Sequence, residues 1–174
     1  MKRTFAATLI IITMLHSCAT IPEGVSAVQP FNKTKYLGKW YEIARLDFKF
    51  EKHLINTTAE YSLNYNGSIK VVNKGFDTTK NKWKTATGKA KFIKDDNVAM
   101  LKVSFFGPFY SGYNVIAIDN EYKYALVSGK NVKYLWILSR YTTIPDDVKK
   151  SYLDLAQKKG FKINDLIWLK HTQE

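Results

Sequence analysis

Few side chains in this sequence have the types and spacing that covalent or metal chemistry requires. There is one cysteine, Cys18, and there are three histidines, His16, His53 and His171. His53 and His171 stand far apart, no G-x-S-x-G segment is present, and no His/Cys/Asp cluster has ligand spacing. No catalytic group, metal or cofactor is expected. Glu42 is the one acid with an unusual setting, because it shares strand parity with Trp40 and Ala44. A carboxylate buried on that side would have a raised pKa. The simplest partner for it is Arg140 or a tyrosine, which makes it a satisfied interior group.

Cys18 matters for where it stands. Met1-Lys2-Arg3 is a positive start, and Phe5 to Leu15 is an apolar run too short to span a bilayer comfortably. The run ends in Leu15-His16-Ser17-Cys18, which resembles the bacterial lipobox, with His16 replacing the usual small residue. That resemblance implies cleavage before Cys18, a diacylglyceryl thioether on its sulfur, and acylation of the new amine. Stable attachment takes two or more such signals. Ala19 follows where an inner-membrane lipoprotein would often carry Asp, so sorting to the outer membrane is expected. Residues 1–17 are read as a lipoprotein signal peptide and 18–29 as a lipidated N-terminus and tether. Pro22 and Gly24 break any helix there. The folded domain is then 30–174.

The elements that position the remaining residues follow from composition and pattern. At 174 residues, with 45% hydrophobic and 24% charged side chains, the chain suits one soluble domain with a core. A 14% aromatic share and many Val/Ile/Thr/Tyr runs favour β structure. The formal charge is +12, and loss of Lys2 and Arg3 with the signal peptide leaves +10. The lysines are scattered over outward parities without an aromatic platform, so nucleic acid is not the expected partner.

Eight runs of β character are expected at 39–47, 57–63, 68–75, 84–93, 98–106, 110–119, 123–129 and 133–140, separated by turn signals such as Asn66-Gly67 and Gly107-Pro108. Several alternate cleanly, with one apolar and one wet face. The first, sixth and eighth are apolar on both faces: Tyr41 and Ile43 against Trp40 and Ala44, Ile116 and Ile118 against Val115 and Ala117, Leu135 and Ile137 against Trp136 and Leu138. Something must cover the outer side. Pro145 to Lys159, with Val148, Tyr152, Leu155 and Ala156 at helical spacing, is the candidate. The predicted fold is all-β: an eight-stranded up-and-down antiparallel barrel with one C-terminal helix packed outside.

The inward parity is rich in small residues, namely Ala44, Ala59, Ala86, Gly88, Ala90, Ala117 and Ala125. A barrel of eight strands either fills with side chains or holds one small ligand. Small inward residues favour a cavity, with Tyr61, Val71, Leu101, Val103, Phe105, Tyr113, Val115, Trp136 and Leu138 as its walls.

Three segments then carry a family resemblance. Gly38-Lys39-Trp40 is similar to the lipocalin G-x-W signature. Asp119-Asn120-Glu121-Tyr122 is similar to the second motif, T-D-x-x-Y, with Ile118 in place of Thr. Arg140, closing Leu135-Trp136-Ile137-Leu138-Ser139, resembles the third, whose arginine packs over the first motif's tryptophan at the closed end. The chain is thereby identified as a member of the lipocalin family over about residues 30–170, nearest to its bacterial outer-membrane lipoprotein branch and more distantly like apolipoprotein D. The resemblance implies a lipid-binding lipoprotein on the periplasmic side of the outer membrane. Some lipocalins are isomerases with a cysteine in the barrel, but the one cysteine here is the expected anchor.

With Trp40 at the closed end, the connections 47–57, 75–83, 106–110 and 129–133 would rim the opening. Phe48, Phe50 and Leu54 in the first, and Phe106-Gly107-Pro108-Phe109-Tyr110 in the third, either tuck into the mouth or meet a lipid surface. The same apolar rim would also serve a homodimer. Lys49, Lys52, Lys80, Lys82, Lys130 and Lys133 outnumber Asp47, Glu51 and Asp77, which suits a fatty acid or lysophospholipid with an anionic head. A retinoid or haem-like carrier is the alternative.

Overall fold

The structure, a computed structural model, describes residues 20–48 and 51–172. The stretch read as a signal peptide, Cys18, Lys49 and Phe50 lie outside the described residues. The strands are β1 (Gly38–Leu46), β2 (Leu54–Leu63), β3 (Ile69–Asp77), β4 (Lys82–Phe92), β5 (Met100–Phe106), β6 (Phe109–Ile118), β7 (Tyr124–Ser128), β8 (Leu135–Ser139) and β9 (Leu166–Trp168). Each of the eight expected strands is present, with ends moved by at most a few residues. From β1 to β8 each strand pairs antiparallel with the next, and β8 returns to β1, which closes the barrel.

Closure is shared along β1. Gly38 to Tyr41 face Tyr61 to Thr58 of β2. From Ala44 to Leu46 the same edge is taken by β9, which the sequence pattern did not reveal. A short helix α1 (Lys33–Tyr36) precedes β1, and Asn32 caps it through a 3.1 Å hydrogen bond from the Lys35 amide.

The outer helix α2 (Asp146–Lys158) lies within its expected limits. Asp146 and Asp147 complement its dipole, and Gly160 ends it at a φ of 83°. Tyr152 and Ala156 are buried against Ile43, Ala44, Leu126, Leu135 and Ile137, so the helix covers the strands that are apolar on both faces. The Tyr152 hydroxyl donates to the Tyr124 carbonyl at 2.9 Å.

Four strand pairs carry a register shift, and those on β1 and β6 decide the side taken by residues expected on the inner wall. On β1, Glu42 stands opposite Leu138 but Ala44 opposite Ile137 and Arg45 opposite Trp136. The extra residue at Ile43–Ala44 inverts parity, sending Ala44 to the outer core and bringing Arg45 inside. On β6, Val115 faces Val127, Ala117 faces Leu126 and Ile118 faces Ala125. Ala117 therefore joins Ile116 under the helix, while Ile118 packs inside. Ala44 and Ala117 were expected on the inner wall; strict alternation carried through a bulge is the error.

The stretch read as a tether lies along the barrel from Thr20 onward. The Val28 amide donates to the Val115 carbonyl at 2.9 Å, and the Ala99 amide to the Val28 carbonyl at 3.0 Å. Asn114 Nδ2 donates to the Thr20 carbonyl at 2.8 Å, and Val25 is buried in the outer core.

Candidate ligand cavity

The closed end is built around Trp40, which is fully buried. Its indole Nε1 donates to the Tyr36 carbonyl at 2.8 Å. The Arg140 guanidinium lies 3.8 Å from the indole ring centroid. It also donates to the carbonyls of Lys35, Leu37 and Lys39 at 2.7–2.8 Å, filling acceptors that α1 leaves at its end. Gly38 beside it has a φ of 94°, a backbone conformation that favours glycine, and a Cβ there would stand 3.4 Å from Arg140 Nη1. Asp119 Oδ1 takes the amides of Lys123 and Tyr124, fixing the β6–β7 turn, and the Tyr122 hydroxyl accepts from the Asn32 amide at 2.7 Å.

Above this floor the barrel is hollow. A cavity of about 800 Å³ opens at the opposite end, within the range of small-molecule sites. Of the residues expected on its wall, Ala59, Tyr61, Val71, Ala90, Leu101, Val103, Phe105, Tyr113, Trp136 and Leu138 line it. Val115 faces inward but is packed into the interior cluster with Trp40 and Tyr36. Gly88 is covered by Phe105: a Cβ there would come within 2.8 Å of the ring and of the Ser104 carbonyl. Its lack of a side chain seats the Phe105 ring against the sheet.

The mouth divides. Phe48 folds inward, edge-on to Trp136 at 5.9 Å and to Tyr134 at 5.8 Å, and Leu54 lines the cavity. Phe106 and Phe109 stay 71% and 79% exposed at the β5–β6 hairpin. Two of the three acids placed at the rim are not surface charges. Asp77 is buried, paired with Lys84 at 2.6 Å, and this pairing holds its carboxyl well below the usual range. Glu51 turns into the cavity.

The lumen carries two polar features that sequence reasoning missed. Tyr113 hydrogen-bonds through its hydroxyl to those of Tyr36 at 2.6 Å and Tyr61 at 2.7 Å, and burial pushes all three hydroxyls up, keeping them neutral. The second is charged. Arg45 Nη1 donates to Glu42 Oε1 at 2.9 Å, so the partner of Glu42 is Arg45 and not Arg140 or a tyrosine. Arg45 Nη2 donates to the backbone carbonyls of Glu51 and Leu54, and Trp136 Nε1 donates to Glu51 Oε2 at 3.1 Å. Burial raises both carboxyls, that of Glu51 to about 8. The alternating pattern hid Arg45 behind the bulge and Glu51 in a loop.

A closed antiparallel barrel with a plugged floor, an open apolar lumen and one outer helix defines a cup-shaped binding protein. Residues 31–171 match the family profile described as "Lipocalin-like domain". The chain is 50% identical over 165 residues to outer membrane lipoprotein Blc of Citrobacter freundii, covering 95% of this chain and 93% of that one. It is 35% identical over 147 residues to apolipoprotein D of Mus musculus, covering 78% and 75%. In structure it is similar to insecticyanin of the tobacco hornworm Manduca sexta, with a TM-score of 0.68, 19% identity and 88% of each chain covered. The chain belongs to the lipocalin-like family. Its location is that of a lipid-anchored outer-membrane protein.

Proposed function

We propose that this chain carries a single-chain lipid, a fatty acid or lysophospholipid, with the hydrocarbon in the lumen, as part of outer-membrane maintenance. The observation that carries the reading is an apolar cavity of about 800 Å³ left open by Ala59, Ala86 and Ala90 on its walls. Burying about fifteen methylenes, a palmitoyl chain's worth, would contribute roughly 12 kcal/mol at ~0.8 kcal/mol each. Lost ligand freedom offsets about 4 kcal/mol of this, leaving about 8 kcal/mol, or micromolar binding.

In this reading residues 1–17 are removed, Cys18 carries the acyl chains, and 30–174 faces the periplasm as a binding protein without catalysis. Thr20 lies beside Gly112 and Lys130, near the mouth. An anchor two residues upstream would hold that end close to the bilayer, where the exposed Phe106–Tyr110 hairpin would meet lipid.

Titration of delipidated protein with palmitate and with lysophosphatidylethanolamine tests the proposal. Saturable binding at about 10 μM or tighter supports it, and no binding at that level ends it. Native mass spectrometry of protein purified without added lipid reads the retained ligand and the monomer–dimer state together. An absorbance band in the near-ultraviolet or the visible would favour a retinoid- or haem-like ligand instead.

A further inference from the structure

Resting on the lipid-carrier reading, we propose that the Glu51 carboxyl is a head-group subsite just inside the mouth, which donates a hydrogen bond to an acceptor oxygen of an anionic single-chain ligand and so makes anionic, but not neutral, ligands bind together with a proton. The geometry is a cluster of one buried cation, Arg45, and two acids, Glu42 and Glu51, whose carboxyls line a cavity that Lys74, Lys80, Lys82 and Lys84 also border. Arg45 is buried, its side chain 2% exposed. Its Nη1 is used by Glu42 and its Nη2 by loop carbonyls. Its Nε lies 3.8 Å from Glu51 Oε2 and makes no hydrogen bond. The guanidinium therefore hydrogen-bonds the Glu42 carboxylate and stands only at ion-pair distance from that of Glu51, which among the described residues has no cation hydrogen-bonded to it.

That second carboxyl lines the lumen, fixed by Trp136 Nε1 on Oε2. The described groups that act on it are Glu42 and Arg45 from β1, Asp47 from its own loop, Tyr61 from β2 and Trp136 from β8. Burial, then the charge on Glu42, keeps a proton on it to about pH 8, against the opposing Trp136 bond and Arg45 charge. Protonated, it balances the cluster, with Arg45 against Glu42, and presents an O–H to the lumen. Ionised, it leaves the cluster one negative charge in excess, facing any anionic head. The proton stays on Glu51 throughout; no bond to the ligand is made or broken.

Dodecyl sulfonate, ionised at every pH used, and dodecanol, always neutral, separate the two states. Calorimetric titration of the whole purified chain at about pH 7 and about pH 9.5 should show sulfonate affinity falling about tenfold or more, with dodecanol unchanged. At about pH 8.5, buffers of different ionisation enthalpy should report proton uptake with sulfonate and none with dodecanol. Glu51→Gln keeps a neutral donor, so its sulfonate affinity should be flat with pH and its proton uptake absent. Equal pH profiles for the two ligands, or a wild-type slope in Glu51→Gln, would overturn the inference. Dodecanol binding reports that the variant is folded; where it is lost, wild-type proton uptake decides alone, and zero uptake with sulfonate rejects the subsite. Failure of both ligands to bind at either pH would instead remove the lipid-carrier reading, and this one with it.

Discussion

Arg140 closes the barrel from below by lying on Trp40, its guanidinium 3.8 Å from the indole centroid and hydrogen-bonded to the carbonyls around the start of β1. The arginine fills carbonyl acceptors that the α1–β1 corner leaves without a helical or ladder partner. Arg140→Ala should lower stability by about 2–4 kcal/mol, from lost charged hydrogen bonds and the cation–π contact. Arg140→Lys should recover only part of this, since one ammonium cannot serve several carbonyls at once. Urea unfolding checks both, and a loss below 1 kcal/mol for the alanine variant (about the noise of such cycles) would refute the assignment.

The bulge on β6 separates two alanines that simple alternation treats alike. Ala90 lines the lumen and Ala117 packs under α2. Ala90→Phe should weaken lipid binding about tenfold or more by occupying the cavity, with the barrel still folded. Ala117→Phe should leave affinity unchanged and cost about 1–3 kcal/mol through overpacking beneath the helix. Fluorescence titration with thermal melting distinguishes the pair; the reverse pattern would mean that Ala117 faces the lumen after all.

Glu51 also links stability to pH. Its folded pKa, about 8, lies above the ordinary value of 4.5, so the folded state holds a proton that the unfolded state releases. This contribution is neutral below the unfolded value, and stability falls as pH rises between the two, by at most about 1.4 kcal/mol per unit. Above about 8 the loss is complete. Glu51→Gln should flatten that slope and be the more stable protein at alkaline pH. Melting temperatures of both proteins across this window that run parallel would contradict the prediction.

Gly88 is predicted to act through its neighbour. A methyl group there would meet Phe105 and the Ser104 carbonyl at 2.8 Å. Gly88→Ala should push the Phe105 ring into the lumen, costing about 1–3 kcal/mol and reducing lipid affinity. Pairing it with Phe105→Leu should return much of the stability in a double-mutant cycle, and strict additivity would argue that the ring is not what moves.

The sequence was legible wherever a strict period or a rigid residue pair controlled the outcome. Alternation in β4 and β5 placed Ala90, Leu101, Val103 and Phe105 on the lumen, and helical spacing placed Tyr152 and Ala156 against the sheet. It failed where a local event broke the period. Ala44 and Ala117 changed sides because each follows a bulge, and no residue type in Ile43-Ala44 or Ile116-Ala117 announces one. Arg45, charged and read past as a strand-end residue, became the interior cation by the same shift. Glu51 sits in a loop, where no period operates, and its inward turn depends on the Trp136 nitrogen and the Arg45 fork. The short β9 was invisible because Leu166 to Trp168 is too brief to show a pattern, and only the open edge of β1 gives it a place.

Those two irregular points on β1 and β6 also fix how the gene could change length without scrambling the barrel. Removing one residue of Ile43-Ala44 or of Ile116-Ala117 would straighten the ladder yet keep every downstream side chain on its present side. A one-residue deletion elsewhere in either strand would exchange lipid-facing and helix-facing positions from that point on. Single-codon losses in these strands should therefore survive at the irregular pairs and fail around them.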